Sequence, residues 1–236
     1  MKKANFTQNV TCVLSDRFHL IKTILLLAFF AIVNVQTMTA QCPTTFQLIN
    51  QPGLACGELG PNLLANPSFE EGTPGPNIDW QGNPLPPGWF TFGGYGGFPN
   101  IFTEVLDPRT GSQHIKMFGA FNSPFNVSGF GQNLPADPGE TFVGSIYMMT
   151  PAGDDIASGD NFAEVHLEFF DANGCFVGGE NFKTSEQLKN GSPINQYIKF
   201  DAIATAPPGT VRMNFVAFFF NVNWNGGAIF YDDASL

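Results

Sequence analysis

Short runs in which apolar and polar residues alternate, separated by turns rich in glycine and proline, dominate the chain beyond residue 60. The clearest run is 161–179, "NFAEVHLEFFDANGCFVGG". Its apolar set is Ala163, Val165, Leu167 and Phe169, and its polar set is Glu164, His166 and Glu168. A period of two places each set on one side of a β-strand, so one side packs and the other is polar. The turn 171–174 predicts a hairpin.

Other segments predict further strands, and no segment shows sustained helical periodicity. They are 62–65, 89–92, 111–119, 140–150, 196–206, 210–222 and the closing "GAIFYDDASL". The stretch 72–100 is too dense in glycine and proline for a long strand or helix, apart from 89–92. With 26 glycines, 18 prolines and 26 phenylalanines, the pattern predicts an all-β jelly-roll β-sandwich of two antiparallel sheets.

The first 40 residues have the order of a secretory signal peptide. Four basic residues precede the apolar run 23–35, and small and polar residues follow it. The run is shorter than the roughly 20 residues of a membrane span, which favours a cleaved signal over an uncleaved anchor. We expect a mature chain from about Gln41 in a secreted, extracellular or periplasmic location, a leader over 41–61 and one β-sandwich domain over 62–236.

Charge and cysteine content restrict which classes of partner and which disulfides the sequence predicts. Beyond residue 40 the chain has six basic and nineteen acidic residues, a balance of −13. This charge argues against nucleic acid and anionic membranes as partners and is compatible with cation binding. Cys42 and Cys56 bracket a short segment and could form a disulfide in an oxidising compartment, which leaves Cys175 over. No cysteine pair has the spacing of a zinc finger.

The order of several motifs resembles the family 4/9/22-type carbohydrate-binding modules, within the galactose-binding-domain-like β-sandwiches. The motifs are "NLLANPSFEEG", "PPGWFTFG", "GSQHIKMFG", "GQNLPADPGETFVGSIYM", "AEVHLEFFDANG", "YIKFDAIATAPPGTVRMNFVAF" and "IFYDDASL". The likeness covers about residues 62–236, and the chain departs from it in the 72–100 insertion and its many phenylalanines. The resemblance implies that the first and last strands lie close together.

The resemblance also implies a structural Ca²⁺ held by Glu70, after the first strand, and Asp232, in the last. Aspartate is depleted in strands, so two adjacent aspartates in an apolar strand need a reason. Strand alternation predicts that one of them faces a cation while the other is solvated. Ca²⁺ takes six to eight oxygen ligands. The alternative is a set of solvated carboxylates at strand ends.

Sugar recognition needs an aromatic platform and planar polar groups, and the chain offers both. The polar candidates are Glu164, His166, Glu168, Arg212 and Asn214, and the aromatic candidates are Tyr147, Trp80 and Trp224. If their strands are neighbours, the polar sides form one surface with Tyr147 on it. Trp89 is expected to pack in the core. The alternative for the Glu164–His166–Glu168 set is an ordinary solvated strand face.

The sequence predicts a non-catalytic polysaccharide-binding module. It has no nucleophile elbow, no metal-binding histidine cluster and no phosphate-cradling glycine loop. Glu164 and Glu168 lie about 13 Å apart along a strand, whereas a glycosidase needs carboxyls about 5–9.5 Å apart. The alternatives are an extracellular structural or adhesive module that binds a protein partner, and an accessory part of a glycoside hydrolase.

Overall fold

The computed structural model describes residues 60–76, 86–93, 100–119, 123–177 and 182–236. The predicted signal and leader, Cys42, Cys56 and Trp80 lie outside these ranges, so what was expected of them remains a prediction. Contacts divide the chain into residues 1–61 and 62–236, and the strands of the described ranges belong to the second unit. Within the described ranges, no helix is long and apolar enough to cross a membrane.

Eleven strands within the described ranges form two antiparallel sheets. They are β1 Gly75–Pro76, β2 Phe90–Phe92, β3 Ile101–Glu104, β4 His114–Phe118, β5 Phe125–Pro135, β6 Thr141–Met149, β7 Phe162–Phe170, β8 Phe182–Thr184, β9 Ile198–Thr205, β10 Arg212–Val222 and β11 Ala228–Ser235. The six-stranded sheet has the order β1-β3-β4-β11-β6-β9, and the five-stranded sheet has the order β2-β5-β10-β7-β8. Successive long strands therefore alternate between sheets, as in a jelly roll. The predicted fold class is confirmed.

The core lies between the sheets and is built from the apolar side of each alternating strand. Val165 and Leu167 of β7 meet Phe215 of β10, and Ile146 of β6 faces them from the other sheet. Trp89 packs there too, with its ring centroid 5.4 Å from that of Phe130, and its indole nitrogen donates to the Asn66 carbonyl at 3.0 Å. The predicted inward side of β7 and the core position of Trp89 are both confirmed.

The long strand β5, between β2 and β10, was not predicted, because its sequence "FNVSGFGQNLP" is polar and rich in glycine. Its two glycines are required by close packing. A Cβ at Gly129 would lie 2.4 Å from the Phe92 ring, and one at Gly131 would lie 2.9 Å from the Phe90 ring. These glycines let the two rings of β2 lie against β5. Glycine in a strand weakens it alone but marks such close approach.

The predicted hairpin after β7 is only partly formed. The turn at 171–174 is present, and beyond it Phe176 makes a single bridge to Phe170. The strand that pairs with β7 is β8, farther along the chain. The expectation that Cys175 is left over is wrong, because Cys175 is disulfide-bonded. The Cys42–Cys56 pairing lies outside the described residues and remains a prediction.

The two ends of the domain lie side by side, as expected, but residues 62–65 do not form a strand. The Leu63 amide donates to the Leu236 carbonyl at 3.0 Å, and the Ala234 amide donates to the Pro67 carbonyl at 2.8 Å. The Asn62 side chain bonds to both Ala234 and Leu236. Isolated hydrogen bonds and the Asn62 side chain thus join the ends in place of a regular ladder.

Candidate functional site

One outer surface of the sandwich combines aromatic and polar side chains, and we call it the aromatic–polar face. It is the side of the five-stranded sheet that points away from the core. Its members are Phe90 and Phe92 of β2, Phe162, Glu164, His166, Glu168 and Phe170 of β7, and Arg212, Asn214, Val216, Phe218 and Phe220 of β10. The strand period of two places them there, opposite the buried set of each strand.

Phenylalanines form a continuous strip on this face. The Phe218 ring centroid lies 5.3 Å from that of Phe92 and 5.6 Å from that of Phe220. Phe220 stacks in turn on Phe162 at 4.4 Å, with the planes 11° apart. The rings are half-buried rather than enclosed. The strip therefore offers a partly exposed aromatic platform across β2, β10 and β7.

A polar cluster on β7 adjoins the strip. His166 Nε2 lies 2.7 Å from Glu164 Oε1, and His166 Nδ1 lies 3.8 Å from Glu168 Oε1. Gln187 donates to the second oxygen of Glu164 at 2.9 Å. The imidazole also lies against the Phe218 ring, with centroids 4.3 Å apart. Glu164 and His166 are both buried, so this set is not the solvated strand face that was the alternative.

Burial and pairing set the protonation of this cluster. Burial by itself lowers the pKa of His166, but hydrogen bonds and charges from Glu164 and Glu168 outweigh it and raise the pKa above 6.5. Burial raises the pKa of Glu164, and bonds from His166 and Gln187 outweigh it, so that pKa is lowered. These contacts therefore favour the imidazolium form of His166 more than water does.

The His166 titration gives a testable prediction. We expect NMR of its ring protons to give a midpoint above 6.5, and we expect Glu164→Gln to move that midpoint down because a paired charge is lost. A raised folded-state pKa contributes stability that is complete below 6.5 and is lost as pH rises through the folded midpoint. The melting temperature should therefore decline over that interval in wild type and less in Glu164→Gln. A midpoint at or below 6.5 would contradict the assigned pairing.

The predicted residues Arg212 and Asn214 lie on the same face, beside the cluster. Asn214 Nδ2 donates to Glu168 Oε2 at 3.4 Å, and the Arg212 guanidinium lies 4.5 Å from the Phe170 ring centroid. The register explains both contacts, because Asn214 pairs with Glu168 and Arg212 pairs with Phe170 across β10 and β7. The predicted five polar residues are thus brought together in the structure.

The predicted aromatic partner Tyr147 is not on this face. It belongs to β6, in the other sheet, where it pairs with Asp232 and Lys199. The Arg109 guanidinium covers its ring at 3.5 Å from the centroid. The expectation that Tyr147 joins Glu164 and its neighbours is wrong, because alternation along β6 cannot tell which sheet the strand enters.

Trp224 follows β10 in the turn to β11, at the strand end that carries Phe220. It is 52% exposed, in agreement with the expectation that it is accessible. Its backbone φ of 61° is in the left-handed region, as is that of Asn223. Such a conformation is uncommon for residues other than glycine, so the turn is held in a specific shape. Whether its ring contributes to the aromatic–polar face remains a prediction.

The two predicted calcium ligands both meet the loop between β3 and β4. Glu70 accepts hydrogen bonds from the Ser112 amide at 3.0 and 3.1 Å, the Ser112 hydroxyl at 2.6 Å and the Gln113 amide at 3.1 Å. Burial raises the pKa of Glu70, but the hydrogen bonds from these donors together outweigh it, so that pKa is lowered. Glu70 is thus an acceptor that ties the N-terminal segment to the loop.

Asp232 is fully buried and ties the last strand to the same loop. Its Oδ2 accepts from the Arg109 amide at 2.8 Å and the Thr110 amide at 3.1 Å, and its Oδ1 accepts from the Asp233 amide at 2.8 Å. Burial nevertheless raises the pKa of Asp232 to about 6. A bulge at this point places Asp233 at a φ of 46°, where its carboxylate pairs with the Arg109 side chain and Thr110.

These carboxylates do not fit a calcium site as they are arranged. A carboxylate has about four lone-pair positions, and N–H or O–H donors take four on Glu70 and three on Asp232. No group of three or more histidine, cysteine, aspartate or glutamate side chains converges among the described residues. The calcium site therefore stays a prediction of the family resemblance, and the contacts seen here support a closure made by amides.

Chelation tests whether Ca²⁺ binds at Glu70 and Asp232. Since protein donors satisfy both carboxylates, we expect the melting temperature to be the same in excess EGTA and in excess Ca²⁺. A ligand that binds only the folded state raises stability in proportion to RT ln(1 + [L]/Kd). Stabilisation by Ca²⁺ that Asp232→Ala removes would establish the metal site instead.

None of the six phenylalanines on the face was predicted as a site residue: Phe90, Phe92, Phe162, Phe170, Phe218 and Phe220. Phe90 lies in the segment "PPGWFTFG" beside the core residue Trp89, and the alternation there could have placed it outward. The run "FVAFFFNV" likewise alternates, since Phe219 is buried in the core while Phe218 and Phe220 point outward. The position of Gln187 beside Glu164 has no local sequence signal.

No protein-family model matches the sequence, and no curated protein matches it. The chain resembles several solved structures. One is a family 61 carbohydrate-binding module in complex with β-1,4-galactotriose (11% identity, 75% of this chain, 97% of that chain, TM-score 0.47). Another is the xylan-binding family 22 module from Paenibacillus barcinonensis Xyn10C (17% identity, 71% of this chain, 88% of that chain, TM-score 0.41). A third is a cyclase from Fischerella sp. TAU (13% identity, 72% of this chain, 92% of that chain, TM-score 0.46). Matches at these identities and TM-scores do not assign the chain to a family.

Proposed function

We propose that this protein binds a polysaccharide, without catalysis, on the aromatic–polar face. The observation that carries the proposal is the strip of half-buried phenylalanines beside the buried cluster of Glu164, His166, Glu168 and Asn214. A pyranose ring presents an apolar C–H surface and a rim of hydroxyls. The aromatic strip suits the first, and planar carboxylate, amide and guanidinium groups suit the second.

The protonation of the cluster supports binding rather than glycoside hydrolysis. Both carboxylates lean toward one imidazole, so the strand spacing of about 13 Å between Glu164 and Glu168 does not by itself keep the two carboxyl groups apart. However, a glycosidase acid needs a raised pKa so that it can donate a proton. The pKa of Glu164 is lowered, and His166 occupies the space between the carboxylates.

An adhesive module that binds a protein partner is the second candidate. Exposed apolar residues at one end of the five-stranded sheet favour it, notably Phe125 at 56% and Trp224 at 52% exposed. A protein contact would use this apolar end, whereas a glycan would use the mixed aromatic and polar surface.

Affinity electrophoresis against soluble glucans, xylans and galactans tests the proposal. We expect at least one polymer to retard the protein, with a Kd on the order of micromolar to millimolar, because a glycan buries little area. Insoluble polymers are tested by pull-down. Absence of retardation and pull-down, together with a co-purifying protein, would favour the adhesive module. Release of reducing sugar would overturn both.

A further inference from the structure

Two side chains of the aromatic–polar face carry buried polar atoms that have no hydrogen-bond partner among the residues that the structure describes. They are Nε of Arg212 and Oδ1 of Asn214. The Asn214 residue as a whole is only 9% exposed. A buried polar atom without a partner costs free energy, so native proteins keep few of them, and those they keep call for an explanation. Two such atoms within three residues of one strand indicate a place where a bound ligand supplies the missing hydrogen-bond partners.

Neighbouring contacts hold both side chains in place. The Asn214 amide donates through Nδ2 to Glu168, so its Oδ1 is the atom left without a partner. The guanidinium of Arg212 lies over the Phe170 ring at 4.5 Å. Because the two residues are two apart on one strand, their backbones are about 7 Å apart on the same side. The pair therefore presents one acceptor and one donor at a spacing that neighbouring groups on one ligand can span.

We infer that the ligand is a neutral polysaccharide, and that Arg212 and Asn214 select it by bonding its hydroxyl groups. This inference rests on the proposed function. A hydroxyl can donate to Asn214 Oδ1 and can accept from Arg212 Nε, so hydroxyls satisfy both atoms. A uronate carboxylate or a sulfate accepts only. Such a group can bond Arg212 Nε but cannot take the place of a hydroxyl at Asn214 Oδ1, where it would face the carboxylate of Glu168.

The net charge of the chain also favours a neutral ligand over an acidic one. It has 20 acidic and 10 basic residues, a net charge of −10. On the face itself, Glu164 and Glu168 already take up the charge of His166. An acidic polymer would thus approach a negative protein and find one guanidinium that stacks on a ring. A neutral polymer meets no such repulsion.

Affinity electrophoresis with matched polymers at low ionic strength provides the test. Xylan, mixed-linkage glucan and galactan represent neutral chains, and polygalacturonate and alginate represent acidic ones. We expect neutral polymers to retard the wild type and the acidic ones to leave it unretarded. Asn214→Leu, which keeps the volume and removes the acceptor, should weaken neutral binding roughly fivefold to tenfold.

Arg212→Lys separates hydrogen bonding from charge, because lysine keeps the charge and lacks the Nε donor. We expect it to weaken neutral binding roughly fivefold. Lys199→Met, on the exposed outer side of the other sheet, is the matched control and should bind as wild type does. The melting temperature of Asn214→Leu should be unchanged or raised, since the substitution removes an unpaired buried atom. If Asn214 had a purely structural role, its substitution would lower the melting temperature.

The outcomes separate the inference from the function. If acidic polymers retard wild type as strongly as neutral ones, or if Arg212→Lys and Asn214→Leu bind neutral polymers as wild type does, the inference is overturned while polysaccharide binding stands. If neither kind of polymer retards wild type or is bound in the pull-down, the proposed function fails, and the inference fails with it.

Discussion

Phe218→Ala should abolish detectable polysaccharide binding. Phe218 lies at the centre of the aromatic strip, in contact with Phe92, Phe220 and His166. Loss of the apolar contact of one aromatic side chain costs about 1.5–3 kcal/mol, which corresponds to a loss in affinity of roughly 10- to 150-fold. An interaction that begins near the millimolar end of the expected range would then fall below detection, and a micromolar one would weaken by the same factor. Affinity electrophoresis with the polymer that retards wild type most is the measurement.

Phe102→Ala is the matched control for this substitution. Phe102 stacks on Phe118 with centroids 5.6 Å apart and planes 19° apart, and Phe218 stacks on Phe220 at 5.6 Å and 22°. The Phe102 pair lies on the outer side of the six-stranded sheet, remote from the proposed site. We expect similar small losses in melting temperature for both variants and a loss of binding only for Phe218→Ala. Equal binding by the two variants would remove the aromatic strip from the proposed site.

Asp232→Ala should cause the largest loss in stability. The substitution leaves the amides of Arg109, Thr110 and Asp233 without their carboxylate acceptor, at about 1 kcal/mol each. Relief of the buried charge offsets part of this, so we expect a net cost of about 2–3 kcal/mol. In a domain of this size that lowers the melting temperature by roughly 4–12 °C. Thermal unfolding followed by circular dichroism measures it.

Asp201→Ala is the corresponding control, because Asp201 is an exposed aspartate on β9 that pairs with Lys199 at 2.9 Å. Exposed pairs of this kind contribute little, so its melting temperature should stay close to that of wild type. If Asp232→Ala is no more destabilising than Asp201→Ala, the amide closure does not stabilise the fold.

The stability of wild type should also depend on pH through the Asp232 carboxylate. Its folded pKa of about 6 lies above the ordinary 3.8, so the folded state holds this proton more tightly than the unfolded chain. Its contribution therefore favours folding most below pH 3.8, declines as pH rises from 3.8 to 6 and is lowest above 6. We expect Asp232→Ala to lack this decline in stability between pH 3.8 and 6. In wild type, acidic groups with lowered pKa values change stability in the opposite direction.

The sequence by itself determined the side on which a residue lies within its strand. Alternation correctly grouped Glu164 with His166 and Glu168, on the opposite side of β7 from the buried Ala163, Val165, Leu167 and Phe169. This works because the two-residue period is a local property of an extended backbone. The motif order likewise predicted correctly the sandwich and the meeting of the chain ends at Asn62 and Leu236.

Only the tertiary structure decided which strands are neighbours and which groups satisfy the buried polar atoms. Tyr147 alternates as predicted but belongs to the other sheet, because sheet membership depends on pairing between strands distant in the chain. The β2 rings reach the aromatic–polar face because β5 has glycines where they cross it. Glu70 and Asp232 have the charges of metal ligands, yet the loop between β3 and β4 supplies their partners. Such contacts are properties of the packed chain, and no local pattern in the sequence encodes them.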